Sequence, residues 1–283
     1  MEVARHGSGA RAVLEALASQ VHPVFMLPPL AASAFGAVLA REFVPVVGVI
    51  HAVAIFFALY TAHVKDGYVD FHIRGEDDDH PITAAGCRLV LATSSTAFFV
   101  CLGALWWLSG VEAALLTLPA WLIAYFHAPQ LDTNPVSATT GYPLGIAVSL
   151  LGGYYVQAGG LSPVVLAFAA VFLLLLSGIK VIDDAKDYEY DRSIAKRTVA
   201  VVLGRDRARL TAYGLMAGGL LVVLLLTALS VFPPSAVLAV LAFAAVALVA
   251  RRAESELATM LLIRGSYVFL AVLVVAVWYR PFE

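Results

Sequence analysis

Apolar residues run through this chain in long blocks, and polar residues gather in the short gaps between them. A helix needs about 20 predominantly apolar residues to cross about 30 Å of hydrocarbon. By that measure nine segments qualify, at about 21–40, 44–63, 85–108, 112–128, 137–157, 162–181, 208–231, 235–251 and 258–279. Pro129, Pro135 and Pro143 interrupt the fourth and fifth, which is tolerated where neighbouring helices re-satisfy the backbone. The pattern predicts an all-α, polytopic membrane helical bundle of about nine transmembrane helices. It reads as a single transmembrane domain over residues 1–283, with an amphipathic lead-in at 1–20 and polar motif loops at 63–84 and 180–207.

Composition agrees. Hydrophobic residues make up 61% of the chain and charged residues 13%, and the mean hydropathy is +0.88. Those values exclude an ordinary soluble core. Charge then sets sidedness. With nine spans, sixteen of the 18 Lys and Arg residues fall on one side, leaving Arg41 and Arg280 on the other. Positive-inside places the N-terminus and both motif loops in the cytoplasm of a multi-pass cell-membrane protein. The first 20 residues lack the basic, apolar and small-residue order of a cleaved signal. Cys87 and Cys101 have no metal or redox spacing and read as small helix residues. No nucleic-acid reader motif is present, since the basic residues cluster beside carboxylates at a membrane face.

Of the 20 acidic residues, 11 lie in two short stretches. The first is HVKDGYVDFHIRGEDDDHP, from His63 to Pro81; the second is GIKVIDDAKDYEYDRSIAKRTVAVVLG, from Gly178 to Gly204. In a helical continuation residues three and four apart share a face. Asp66 and Asp70 make one such pair, and Asp184, Asp187 and Asp191 follow at i, i+3 and i+7. Stacked like charges destabilise a bare helix, so a divalent cation is the natural occupant. Hard oxygen ligands favour Mg²⁺, which binds one or two carboxylates together with substrate phosphates. Lys65, Arg74, Lys180, Lys186, Lys196 and Arg197 suit the remaining phosphate oxygens. His63 and His72 flank the first motif and could act on a proton or a phosphate. The run Glu76 to Asp79 reads as a solvated patch.

These motifs resemble those of the UbiA superfamily of intramembrane prenyltransferases. The segment DAKDYEYDRSIAKRTVAVVLG, from Asp184 to Gly204, is similar to that family's DxxDxxxD followed by a basic-Thr pair and a Gly. The family's first motif is Asn-x-x-x-Asp-x-x-x-Asp with an Arg-Pro further on. Its aspartates fall on Asp66 and Asp70 and its Pro on Pro81, but its Asn falls on Ala62, which cannot coordinate a metal. YFHAPQLD, from Tyr125 to Asp132, is similar to the family's Tyr-x-x-Pro segment, without the cation that often follows it.

The resemblance implies a nine-helix fold and Mg²⁺-dependent ionisation of an isoprenyl diphosphate such as geranylgeranyl diphosphate. It also implies Asp66, Asp70, Asp187 and Asp191 as catalytic residues that, with Asp184, hold the metal. His63, Lys65, Tyr68, Arg74, Tyr125, Lys180, Lys196 and Arg197 would contact the substrate, with Tyr68 and Tyr125 offering π faces to an allylic cation. The prenyl tail would lie among membrane lipids, and the prenyl group would pass to a lipophilic acceptor. A terpene cyclase on the same scaffold is the alternative, supported by Ala62 and by the missing acceptor-side cation. A secondary transporter fits less well, because the acidic residues sit at helix ends instead of the midplane.

Overall fold

The computed structural model describes residues 2–40, 43–194 and 196–281. Helices dominate, and the one pairing of extended segments among the described residues is an isolated antiparallel bridge between Ala4 and Ile82. In hydrocarbon each backbone N–H and C=O must find its partner within the chain, and helices satisfy that locally. The chain is a multi-pass membrane protein. Arg41, one of the two cations expected on the outer side, lies outside the described residues.

Each of the nine expected segments is occupied by a helix. They are α2 (Pro23–Leu39), α3 (Pro45–Gly67), α4 (Ala84–Ser109), α5 (Val111–Phe126), α6 (Pro135–Ala158), α7 (Pro163–Lys186), α10 (Arg205–Ala228), α11 (Val237–Ala250) and α12 (Ser255–Tyr279). Shorter helices are α1 (Gly9–Ala18), α8 (Tyr188–Ser193) and α9 (Val199–Leu203). Six helices among the described residues are long and apolar enough to cross a membrane, or seven if α1 and α2, bent by 66°, count as one span. The expected count of nine therefore does not follow from length and apolarity alone. The shortfall has local causes: Pro28 and Pro29 sit inside α2, α6 opens with the polar run PVSATTGYP, and α11 is 14 residues long.

The chain forms two compact units, residues 1–133 with 144–161 and residues 134–143 with 162–283. In the first, α3 packs on α2, α4 and α5. Its core gathers Ala54, Ile55, Ala58, Phe98, Ala120 and Ala124. Small residues let backbones approach closely: Gly36 of α2 lies against the backbone of Leu150 and Tyr154, and Gly153 against that of Ser33. The buried His51 is held by Ser33, with Oγ and Nδ1 2.7 Å apart. The lead-in is tied down, with the Tyr60 hydroxyl donating to Leu17 O at 2.9 Å.

In the second unit α7 is the most enclosed span, with 67% of its apolar window buried. It packs on α10 and α12, and Phe168, Val171, Phe172, Leu175 and Ile179 are buried along it. Gly178 makes the close approach to α10 possible, since a Cβ there would lie 2.6 Å from both Ala212 O and Met216 Cγ. Gly178→Val is expected to lower stability by about 1–3 kcal/mol, read as a lower melting temperature in detergent. Gly214→Val, on α10 where a Cβ meets open space, should melt like the parent.

Candidate active site

The first acidic set grows out of the end of α3. Helix continues past the last apolar turn, so Asp66 is still on α3, and a π-helical stretch runs from Tyr68 to Arg74. The first half of the expected 63–84 loop is therefore helix. Widened turns of this kind are frequent at functional sites, and here the change of pitch falls between Asp66 and Asp70. Gly75, at φ +66°, ends the stretch in the left-handed conformation that glycine adopts without penalty.

Arg74 gathers three carboxylates around its guanidinium. Its Nη2 donates to Asp132 Oδ2 at 2.7 Å, and the group lies 3.5 Å from both Asp70 Oδ1 and Glu76 Oε1. The four side chains are largely enclosed, at 17% exposure for Arg74, 18% for Asp70, 5% for Glu76 and 9% for Asp132. Glu76 thus leaves the solvated patch expected of it, while Asp77, Asp78 and Asp79 stay exposed. Arg74, expected to meet a phosphate, is instead committed to these carboxylates. Asp132 is the residue that sequence reasoning missed, and its only signal was a carboxylate closing the YFHAPQLD segment.

The other residues expected in this half spread over two neighbourhoods. Lys65 Nζ sits 4.9 Å above the Tyr125 ring, which stacks on Trp121. His63 packs against His22, with ring centroids 4.7 Å apart, and lies within electrostatic reach of Asp66 and His127. Tyr68 faces away from both, against His72 and the packing of Val64 and Ile82.

The second acidic set lies where α7 ends. The helix stops at Asp187 (φ −93°, ψ 17°) and restarts as α8, so Asp184 closes one helix and Asp191 sits on the next. Asp191 N–H donates to Asp187 O at 2.9 Å, and Lys196 N–H donates to Asp191 O at 3.0 Å, which folds the basic segment back over the carboxylates. Thr198 then caps α9, its Oγ1 accepting from Val201 N at 3.3 Å.

Asp184 and Asp191 are 5% and 6% exposed, whereas the Asp187 side chain is half exposed. Lys180 pairs with Asp184 Oδ1, and Lys186 bridges Asp183 and Asp187 at 3.3 and 3.8 Å. Asp184 Oδ2 is buried with no hydrogen-bond partner among the described residues. Burial pushes the Asp191 carboxyl up to about 6; Lys196 opposes that rise and Asp184 adds to it. Neither Lys196 nor Arg197 makes an ion pair among the described residues, so both remain available to an anion.

A buried carboxylate oxygen without a partner costs several kcal/mol unless a cation or donor reaches it. Asp184, Asp187 and Asp191 offer hard oxygens and a net negative charge, which fits Mg²⁺. The first set also offers hard oxygens at Asp66 and Asp70, with Arg74 already balancing part of the charge.

The profile of the UbiA prenyltransferase family matches residues 26–273. None of the curated proteins compared matches the sequence. Among solved structures, digeranylgeranylglyceryl phosphate synthase is similar at 12% identity and a TM-score of 0.71, covering 94% of this chain and 96% of that one. A UbiA homolog from Archaeoglobus fulgidus bound to DMAPP and Mg²⁺ is similar at 18% identity and a TM-score of 0.60, covering 93% and 85%. A UbiA homolog from Aeropyrum pernix K1 is similar at 16% identity and a TM-score of 0.68, covering 90% and 97%. At these identities the likeness is one of fold.

Proposed function

This chain belongs to the UbiA prenyltransferase family, and on that footing we propose that it is an Mg²⁺-dependent intramembrane prenyltransferase. It ionises an isoprenyl diphosphate, such as geranylgeranyl diphosphate, and transfers the prenyl group to a lipophilic acceptor. The observation that carries this reading is the buried pair Asp184, in the last turn of the most enclosed span, and Asp191, on the helix that follows, with Asp184 Oδ2 lacking a partner among the described residues. A buried site of that kind suits a bound cation far better than a solvated loop. The A. fulgidus homolog, solved with DMAPP and Mg²⁺, supports the same ligand class.

Asp184, Asp187 and Asp191 would hold Mg²⁺ at one site, and Asp66 and Asp70 at a second. When bound, it would neutralise charge on the departing diphosphate. Breaking the allylic C–O bond sends its electron pair to the diphosphate, whose negative charge Lys196 and Arg197 would offset. The cation left on the prenyl chain needs apolar walls and π faces, which Tyr125 with Trp121 would supply. A nucleophilic atom of the acceptor then bonds to that carbon and sheds a proton. The N-terminus and the segments 63–84 and 180–207 would face the cytoplasm, where the soluble diphosphate head leaves.

Proton and metal compete for Asp191. Its carboxyl, raised to about 6, is mostly ionised at pH 7.5 and mostly protonated at pH 5, so metal binding weakens as pH falls. The apparent Mg²⁺ affinity should drop about tenfold at pH 5, as measured by Mg²⁺ titration calorimetry, and that drop should shrink in Asp191→Asn.

One observation favours a terpene cyclase as the second reading. Ala62, where the family has Asn, packs on the Ala54–Phe98 core and offers no ligand. Product analysis separates the two. Protein in nanodiscs given Mg²⁺ and geranylgeranyl diphosphate should form a prenylated lipid only when a membrane lipid extract is added. A hydrocarbon or alcohol of unchanged carbon number, formed without extract, would make it a cyclase.

A further inference from the structure

Beside the first acidic set lies a cluster of softer ligands that the proposed chemistry does not use. His72 on the π-helical stretch, His80 beyond it and Cys87 in α4 each present one ligand atom, all within 4.8 Å of one another. His80 is 4% exposed and Cys87 is fully buried. His80 Nε2 has no hydrogen-bond partner among the described residues. It faces Gly67, where a Cβ would collide with it, so the missing side chain leaves room beside that nitrogen.

The protonation pattern suits ligation. His72 Nε2 and His80 Nδ1 each lie 3.0 Å from Ile82 O. A carbonyl only accepts, so in the tautomer that donates to Ile82 O each ring keeps the lone pair of its other nitrogen free for a metal. In the other tautomer His80 Nδ1 accepts from Ile82 N–H at 3.2 Å, and metal binding at Nε2 selects the first. Metal-bound histidines typically donate their second N–H to a backbone carbonyl in this way. Phe71 covers both rings, with centroids 4.7 Å from His72 and 5.9 Å from His80. The N-terminal segment clamps the outside through Arg5 N–H to Pro81 O at 2.8 Å and Thr83 N–H to Val3 O at 2.9 Å.

We propose that His72, His80 and Cys87 form a site for a soft divalent cation of the zinc class, separate from the carboxylates. Two imidazoles and a thiolate select soft metals over Mg²⁺, and three protein ligands leave a fourth tetrahedral position for water. The Cys87 thiol loses its proton as its sulfur–metal bond forms, and that proton passes to solvent or buffer. The bound ion would staple the end of the π-helical stretch to α4.

The test uses Co²⁺ as a spectroscopic probe on the full chain in nanodiscs, stripped with chelator and held in excess Mg²⁺ to occupy the oxygen ligands. One equivalent should bind with tetrahedral d–d bands and a thiolate-to-cobalt charge-transfer band, and Zn²⁺ should displace it. Cys87→Ser, nearly isosteric, should lose the charge-transfer band, and His72→Gln should weaken binding at least about tenfold. Asp187→Asn and Cys101→Ser should keep the full signal, which separates this site from the proposed active site. Absence of the charge-transfer band in the parent, or its persistence in Cys87→Ser, would overturn the proposal.

Discussion

Asp184→Asn and Asp191→Asn are each expected to cut consumption of the prenyl diphosphate by about a hundredfold to a thousandfold, with little loss of stability in Mg²⁺-free buffer. Both carboxylates are buried, and an enclosed charge carries a desolvation cost that its partners must offset. Asp184 has Lys180 on one oxygen and no partner among the described residues on the other, while burial already raises the Asp191 carboxyl. An amide removes the charge and much of that cost, and Lys180 keeps Asp183 at 3.8 Å, so the variants should melt at or near the parent temperature without metal. What they should lose is the upward shift in melting temperature that Mg²⁺ gives by binding the folded state. Thermal melts with and without Mg²⁺, run beside a diphosphate-release assay, read both effects. Variants that keep activity and Mg²⁺ stabilisation would show that these buried carboxylates hold no metal.

Arg74→Ala is expected to act on folding more than on substrate affinity. The change removes a guanidinium that reaches three enclosed carboxylates, Asp70, Glu76 and Asp132. Breaking a buried ion network by deleting one partner costs about 3–5 kcal/mol, because each enclosed carboxylate loses the guanidinium that balances it. Arg74→Lys keeps the charge but not the planar fork, and should recover part of the loss. Adding Asp132→Asn to Arg74→Ala should also recover part, as coupled partners do in a double-mutant cycle. Chemical denaturation in detergent measures each arm. If Arg74→Ala instead melts like the parent and only raises KM, the guanidinium serves the substrate phosphate.

Sequence was a good guide to the helices and a partial one to the acidic sets. Each of the nine apolar blocks holds a helix among the described residues, because apolar runs leave the backbone little choice of structure. The spacing of Asp184, Asp187 and Asp191 predicted one helix face, but the helix breaks at Asp187 and puts Asp191 on α8. The π-helical stretch from Tyr68 to Arg74 was not legible, because a helix wound with i to i+5 bonds has no distinctive residue pattern. Arg74 and Asp132 are 58 positions apart, and only the packing of α3 against α5 brings them together. The same holds for His72, His80 and Cys87, whose spacing matches no metal motif until Ile82 O orients both rings. Count and boundaries were the weakest part, since prolines inside α2 and polar residues opening α6 blur what counts as a span.

Release of diphosphate from geranylgeranyl diphosphate by the purified protein in nanodiscs, measured with and without Mg²⁺ and a membrane lipid extract, tests the central claim most directly. The expected result is release that requires Mg²⁺ and falls to background in Asp187→Asn, although that variant melts like the parent. Release that continues in chelator, or that survives Asp187→Asn combined with Asp191→Asn, would contradict it.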